Sequence, residues 1–402
     1  MSATDSTANI DRPATAVPQA IVETLETCLG EAERPIPLHK PVFEGKEWDY
    51  VKECIDTEWV SSAGSYVDRL EEDLADYTGA EWAVVVVNGT AALHVCLQLT
   101  GVKDGDEVLV PALSFVATAN AVSYTGATPH FVDSEERTLG LDPEKLGDHL
   151  NDIAEVREGT CVNVQTGRPI RAAVPVHAYG HPVDLDPLQA VCEEYNMVLV
   201  EDAAESLGSL YEEQHTGTFG KLGALSFNGN KAITTGGGGA ILTNDEDLAD
   251  RAKHLTTVAK EDHPWEYFHD EVGYNYRMPN LNAALGCAQL EQMPSFLARK
   301  RALAERYRQA FSDVKGVSFF EERGQARSNY WLNVLLLHEE KQEKRDAVLE
   351  STNDAGFGTR PTWQLLSSLP MYEDSPRMDL STAESLERRL INIPSTPSLF
   401  DT

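Results

Sequence analysis

The stretch Ser226-Phe-Asn-Gly-Asn-Lys231-Ala-Ile-Thr-Thr-Gly-Gly-Gly-Gly-Ala240 sets a single lysine ahead of four consecutive glycines. A lysine beside glycines suggests a phosphate clamp, but the P-loop needs its glycines before the lysine and a metal-ligating Ser or Thr after it. Here the glycines follow and Ala232 takes the hydroxyl position. No Gly-x-Gly-x-x-Gly opens a helix after the first strand either, which argues against a dinucleotide fingerprint. Covalent catalyst and plain surface charge both stay open. Asn228, Asn230, Thr234 and Thr235 surround Lys231 in sequence at the exit of an apolar run, which speaks against bulk solvent.

A lysine that attacks carbonyls must be partly desolvated or placed near other positive charge, so that its amine loses a proton near neutral pH. Pyridoxal phosphate chemistry then needs three further parts. A carboxylate must keep the pyridine nitrogen protonated, an aromatic ring should cover the cofactor ring, and hydroxyls with helix-terminal amides should hold the phosphate. Val200-Glu-Asp202-Ala-Ala-Glu205-Ser206 offers the carboxylate at a strand end, Phe115 the ring, and Gly89-Thr90 the amides and hydroxyl at the start of a helix. His177 and His181 have i, i+4 spacing, but Gly180 and Pro182 would break the helix a two-histidine metal site needs, so no metal is expected. His177, at a strand end, is left between lining the pocket and a packing role.

Seven short apolar runs must position these groups: Trp82-Ala-Val-Val-Val-Val87, Glu107-Val-Leu-Val110, His130-Phe-Val132, Ala172-Ala-Val-Pro-Val176, Met197-Val-Leu-Val200, Ala224-Leu-Ser-Phe227 and Ala240-Ile-Leu-Thr243. Near-continuous apolar strands alternating with helical patterns predict an α/β domain with a mostly parallel seven-stranded sheet buried on both faces. Ligands of such sheets sit beyond the strands' carboxyl ends, where Asn88 to Thr90, Ser114-Phe115, Glu201-Asp202 and Asn228 to Lys231 fall. After residue 281 long helical runs appear, Leu281 to Leu290 and Ala298 to Tyr307. A strand over 330–337 and helices near 341–355 and 381–390 follow, the pattern of a smaller α+β unit. The expected division is a tail with one short amphipathic helix over 1–35, a large domain over 36–290 and a small C-terminal domain over 291–402.

Asp and Glu outnumber Lys and Arg by 65 to 33, a formal charge of −32, which argues against nucleic acid and acidic membrane surfaces as partners. Solubility explains such acidity, and so does a high-salt cytoplasm that screens self-repulsion. Six scattered cysteines form no CxxC pair and read as reduced core thiols. The polar N-terminus and the lack of a long apolar run point to a cytoplasmic protein with no membrane span.

The ordered set Asn88-Gly-Thr-Ala-Ala-Leu-His94, Pro111-Ala-Leu-Ser-Phe-Val-Ala-Thr-Ala-Asn120, Glu201-Asp-Ala-Ala-Glu-Ser-Leu-Gly208, Ser226-Phe-Asn-Gly-Asn-Lys231 and Gly273-Tyr-Asn-Tyr-Arg-Met278 resembles the DegT/DnrJ/EryC1/StrS nucleotide-sugar aminotransferases. The resemblance covers about residues 36 to 395. Thr216-Gly-Thr-Phe-Gly, Thr234-Thr-Gly-Gly-Gly-Gly, His254-Leu-Thr-Thr, Ser328-Asn-Tyr-Trp-Leu-Asn333 and Thr359-Arg-Pro-Thr-Trp363 look most like the LegC branch, which makes 4-amino-4,6-dideoxy-N-acetylhexosamine nucleotides.

That resemblance implies a fold type I transferase that binds pyridoxal 5'-phosphate (PLP), with active sites shared between the subunits of a homodimer. Lys231 matches the Schiff-base lysine and Asp202 the carboxylate on the pyridine nitrogen. Ser226, Gly89 and Thr90 match phosphate ligands, and Phe115 falls where an aromatic covers the ring. Asn275 matches an asparagine that reaches the neighbouring subunit's phosphate. Glu205 stands where relatives often carry Gln or His facing the cofactor's 3-hydroxyl. Arg277, Tyr330, Asn333, Arg360 and Trp363 are the candidates for contact with the nucleotide sugar, arginine by pairing with the diphosphate. Some relatives replace the lysine by His and dehydrate their substrate, so its presence favours transamination. The implied reaction moves the amino group of glutamate to C4 of a nucleotide-linked 4-keto-6-deoxyhexose. A UDP-N-acetyl sugar is the first expectation and a GDP-linked perosamine precursor the alternative.

Overall fold

The computed structural model describes residues 16–30 and 32–400; of the tail expected over residues 1–35, residues 1–15 and 31 lie outside the described residues. Seven strands form the central sheet: β1 (Trp82–Val86), β2 (Glu107–Pro111), β3 (Thr128–Val132), β4 (Ile170–Ala173), β5 (Val198–Asp202), β6 (Leu222–Ser226) and β7 (Gly239–Thr243). Each overlaps one of the apolar runs, β4 only at Ala172 and Ala173, since the run expected over 172–176 leaves the strand after Ala173. Their order is β1-β7-β6-β5-β4-β2-β3. The pairs from β6 to β3 are parallel and β7 is antiparallel to both neighbours, so six strands share one direction. Their carboxyl ends therefore lie along one edge of the sheet, where β7 begins.

Helices cover the sheet because each carries an apolar stripe. In α3 (Ser65–Thr78) this stripe is Tyr66, Val67, Leu70 and Leu74. Helix α4 (Gly89–Leu99) is buried almost throughout, packed on the face of β6 and β7. Helices α5 (Ala117–Tyr124), α6 (Pro143–Ile153), α7 (Leu185–Glu194) and α8 (Glu246–Thr256) complete the layers around α2 (Glu47–Asp56) and α3.

The two helical runs read after residue 281 form one helix, α9 (Asn280–Phe311), 32 residues long, with Pro294 inside it. Gly286 lets α9 pack closely on α3: a Cβ there would meet Leu70 Cδ2 at 2.7 Å and Thr235 Cγ2 at 2.9 Å. The division expected at 290/291 falls inside this helix. Its C-terminal half packs on an antiparallel sheet of β8 (Val317–Phe319), β9 (Asn333–Leu337), β10 (Arg360–Pro361) and β11 (Leu390–Ile393), in the order β8-β9-β11-β10. The strand expected over 330–337 starts only at Asn333, because Tyr330 has a φ of 48°, outside the extended region. The helix expected near 341–355 is a 3-10 turn over Glu339–Lys344 followed by α10 (Arg345–Asp354), and α11 (Ser381–Arg389) lies where the last helix was expected.

Helix α1 (Val17–Leu29) buries Ile21, Leu25 and Leu29 in the same core as Leu303, Tyr307 and Phe311 of α9 and Leu335 of β9. The short amphipathic N-terminal helix is thus part of the C-terminal unit's core. All six cysteines are buried and unbridged. Among the described residues no helix is long and apolar enough to cross a membrane.

Candidate active site

The carboxyl edge of the sheet carries a cavity of about 360 Å³ lined by the ends of β5 and β6, by residues that follow β1, β2, β5 and β6, and by Trp331 and Trp363. Gly89 and Thr90 form its floor at the first turn of α4, whose leading N–H groups have no acceptor within the helix. Asn88 caps this turn by accepting the Ala91 N–H at 2.8 Å. Ser226, the last residue of β6, closes the same floor. A Cβ on Gly89 would stand 2.9 Å from Ser226 Cβ, so glycine is required for the helix to sit this close. The glycine run has the same origin. Gly236 turns the chain with φ +80°, and a Cβ on Gly239 would lie 2.7 Å from Gly89 N, so β7 enters beneath α4 only without side chains.

Asp202 ends β5 and is buried in the cavity wall. Burial raises its pKa, and the hydrogen bond from Thr118 opposes that rise. Thr118 Oγ1 donates to Asp202 Oδ2 at 2.7 Å, and the Ala204 N–H donates to Oδ1 at 3.2 Å. Ser114 Oγ lies 3.1 Å from Thr118 Oγ1 and also reaches Phe115 O at 3.3 Å. The Thr118 and Ala204 bonds fix the carboxylate's plane.

The Lys231 side chain is 13 % exposed, and its Nζ lies 3.1 Å from Glu205 Oε1 and 4.0 Å from the centre of the Trp331 ring. Glu205 is buried, which raises its pKa, while the Lys231 charge opposes the rise. Its Oε2 accepts the Tyr179 N–H at 2.8 Å. Tyr179 takes a φ of 59°, uncommon for a bulky residue, and its ring stacks on Trp363 at 4.7 Å and 8°. Its hydroxyl is hydrogen-bonded to Thr362. One strained residue thus links the carboxylate beside Lys231 to an aromatic on the opposite wall. Phe115 lies at the rim, half exposed.

The structure therefore gathers Gly89, Thr90, Phe115, Asp202, Glu205, Ser226, Lys231 and Trp363 around one cavity. Five other candidates lie outside it. Arg277 turns away and is buried, donating to Glu71 Oε1 at 2.6 Å and to Val85 O at 3.1 Å, a contact that secures the edge of β1. Tyr330 packs beside Phe319 and His181. Asn333 is fully buried and donates its N–H and Nδ2 to Ser395 Oγ. Arg360 lies at the surface on Asn353 Oδ1 and Thr359 O. Asn275 is exposed, beside Thr257 in an isolated bridge.

His177 is fully buried: its Nδ1 accepts the Val183 N–H at 3.2 Å, so Nε2 carries the proton it gives to Glu201 Oε2 at 2.9 Å. That is the packing role. Trp331, Thr118 and Tyr179 were not singled out from sequence. Trp331 and Thr118 lay within quoted motifs, but nothing in their spacing told which side chains face the cavity.

The profile described as the DegT/DnrJ/EryC1/StrS aminotransferase family matches residues 42–402. The chain is 38% identical over 364 residues to a GDP-perosamine synthase of Escherichia coli O157:H7, covering 90% of this chain and 94% of that protein. It is 35% identical over 370 residues to a GDP-perosamine synthase of Vibrio cholerae, covering 91% and 95%. Among solved structures it resembles the aminotransferase TlmJ from Streptoalloteichus hindustanus with a TM-score of 0.79, 29% identity and coverage of 89% and 93%. The fold is accordingly the expected fold type I arrangement. With that likeness spanning nearly its whole length, the chain is a PLP-dependent enzyme and belongs to the DegT/DnrJ/EryC1/StrS aminotransferase family.

Proposed function

We propose that the protein transfers the amino group of glutamate to C4 of a GDP-linked 4-keto-6-deoxyhexose of the perosamine-precursor type. The observation that carries aminotransfer is the presence in one cavity of the Lys231 amine and the buried Asp202 carboxylate, with a helix N-terminus and a serine hydroxyl on the floor. The GDP sugar rests on the likeness to GDP-perosamine synthases across nine-tenths of both chains. It takes precedence over the UDP-N-acetyl sugar that the LegC-like motifs suggest.

The cavity fits the cofactor. Its floor joins the leading N–H groups of α4 to the Ser226 hydroxyl, and its wall has a carboxylate held in a fixed plane. In this reading Thr90, Ser226 and the α4 amides hold the phosphate, Asp202 holds the pyridine nitrogen protonated, and Phe115 covers the ring. When bound, PLP would supply an electron sink that makes the proton on the α-carbon of the amino donor removable. Lys231 Nζ carries that proton between carbon atoms, and Glu205 and the Trp331 face hold the amine in place meanwhile. Asn275, exposed and outside its own chain's cavity, is assigned to the phosphate of a second copy in a homodimer.

The test uses the pyridoxamine form of the enzyme mixed with GDP- and UDP-linked 4-keto sugars. Return of the visible band with the GDP sugar is expected. Return only with the UDP-N-acetyl sugar reverses the assignment, and a protein that PLP never colours removes the reading altogether.

A further inference from the structure

Lys300 lies in the middle of α9 and is fully buried. Among the described residues no carboxylate is paired with it. Its Nζ donates to Ser395 O at 2.7 Å and to Trp331 O at 3.1 Å, and lies 3.2 Å from His39 Nε2. An ammonium without a counter-charge is among the most costly groups to bury, and an apolar side chain would fill the same helix position more cheaply. Burial alone pushes its pKa down to about 7. A feature this unfavourable for stability calls for a reason outside stability.

The contacts supply one. The Trp331 carbonyl that Lys300 holds belongs to the residue whose ring lies 4.0 Å beneath Lys231 Nζ. The indole Nε1 donates to Asn230 O at 2.7 Å, next to Lys231 in the chain. The Trp331 N–H donates to Asn329 Oδ1 at 2.7 Å, and Asn329 Nδ2 reaches Glu205 O at 2.9 Å. Trp331 is therefore tied to the segments of both groups that meet at the Lys231 amine. Lys300 is the contact that ties it to α9 and, through Ser395 and His39, to the two chain segments on the far side.

We propose that Lys300 is a positioning residue of the catalytic centre, holding the Trp331 backbone so that the indole seats the Lys231 amine. It acts through Trp331 and touches neither cofactor nor substrate. The inference rests on the reading of Lys231 as the lysine that bonds PLP, and the experiment separates the two.

Full-length protein is labelled with fluorotryptophan, and the Trp331 fluorine resonance of the cofactor-free form is identified by its loss in Trp331→Phe. Lys300→Met removes donor and charge, while Lys300→Gln keeps a polar head with shorter reach and no charge. In both variants the Trp331 resonance is expected to shift or split. The visible band that forms on adding PLP is expected to appear about 10-fold more slowly, the equivalent of roughly 1.4 kcal/mol. Combining Lys300→Met with Trp331→Phe should slow the band no further than Trp331→Phe alone, since the lysine acts through that ring. A folded Lys300→Met with an unmoved resonance and an unchanged rate overturns the proposal. If Lys300→Met does not fold, Lys300→Gln decides by the same two readouts. Failure of the wild-type protein to form the band at all strikes the reading of Lys231, whereas the resonance in cofactor-free protein tests Lys300 independently.

Discussion

Glu205 and Lys231 meet at 3.1 Å in the wall of the cavity, and the same carboxylate takes the Tyr179 N–H through its other oxygen. A carboxylate so placed favours the protonated form of whatever nitrogen Lys231 contributes. Glu205→Gln keeps the size and one acceptor but removes the charge. The pH midpoint of the PLP-loaded protein's visible band should then fall by about one unit, as expected for loss of a neighbouring opposite charge. Spectrophotometric titration of both proteins checks this, and coincident midpoints would show that Glu205 is neutral in the loaded site.

Asp202 is fixed by Thr118 and the Ala204 N–H, and no basic side chain is hydrogen-bonded to it. Asp202→Asn is isosteric and leaves the Thr118 hydroxyl an acceptor, so the fold and PLP binding should survive. In the proposed reading this charge keeps the pyridine nitrogen protonated, and its loss should slow the half-reaction with glutamate by about 10²- to 10⁴-fold, the range for a misplaced proton in catalysis. Stopped-flow decay of the visible band measures it. A half-reaction within a factor of two of wild type would detach Asp202 from the chemistry.

The apolar runs at 82–87, 107–110 and 197–200 were legible as strands because a parallel sheet buried on both faces needs unbroken Val and Leu. Asp202 and Lys231 were legible because each follows such a run, and the rule about carboxyl ends then applies, whereas Ser226, inside the 224–227 run, came only with the family resemblance. Arg277 shows where this stops. Its motif drew it toward substrate, yet the buried carboxylate of Glu71, 206 residues away in sequence, decides where its guanidinium points. Trp331 and Lys300 fail for the same reason. Their partners come from α9, β6 and the chain ends, and no local spacing encodes such meetings. The runs 281–290 and 298–307 were read apart, while α9 continues through both with Pro294 inside it.

Arg277 therefore carries a stability prediction. Glu71 Oε1 also accepts the Val85 N–H at 3.0 Å, so the pair anchors β1 to α3. Removing one partner of a buried pair leaves the other uncompensated, and Arg277→Met should cost on the order of 3 kcal/mol. Lys253, 3.3 Å from Glu71 Oε2, limits the loss. Chemical denaturation measures the change, with KM for the sugar expected to stay as it is. A raised KM at unchanged stability would return Arg277 to the substrate.

Leu25 of α1 is fully buried with Tyr307 and Phe311 of α9. Leu25→Ala leaves a cavity in that core and should cost about 2–5 kcal/mol. The cavity lined by Lys231 is built from other residues, so the activity of the folded fraction should not change. Thermal melting and active-site titration of the same sample check both halves. Unaltered melting would mean that α1 adds nothing to the C-terminal unit.

Lys300 makes stability depend on pH in a definite direction. Its folded value is about 7, and an unfolded lysine titrates near 10.4. Between these values the unfolded chain binds the extra proton, so stability rises with pH and is lost as pH falls from about 10.4 toward 7. Below about 7 both states are protonated and the penalty is constant. His39 contributes in a separate window, since burial first, with Lys300 and Lys231 adding to it, holds its pKa well below 6.5. Lys231, the other charged amine near His39, is present in both proteins under comparison. Wild-type stability minus that of Lys300→Met should therefore climb across the alkaline window and stay flat below it. Urea denaturation of both proteins at a series of pH values gives the difference directly. Parallel curves would mean that the buried amine keeps the affinity for protons of an exposed one.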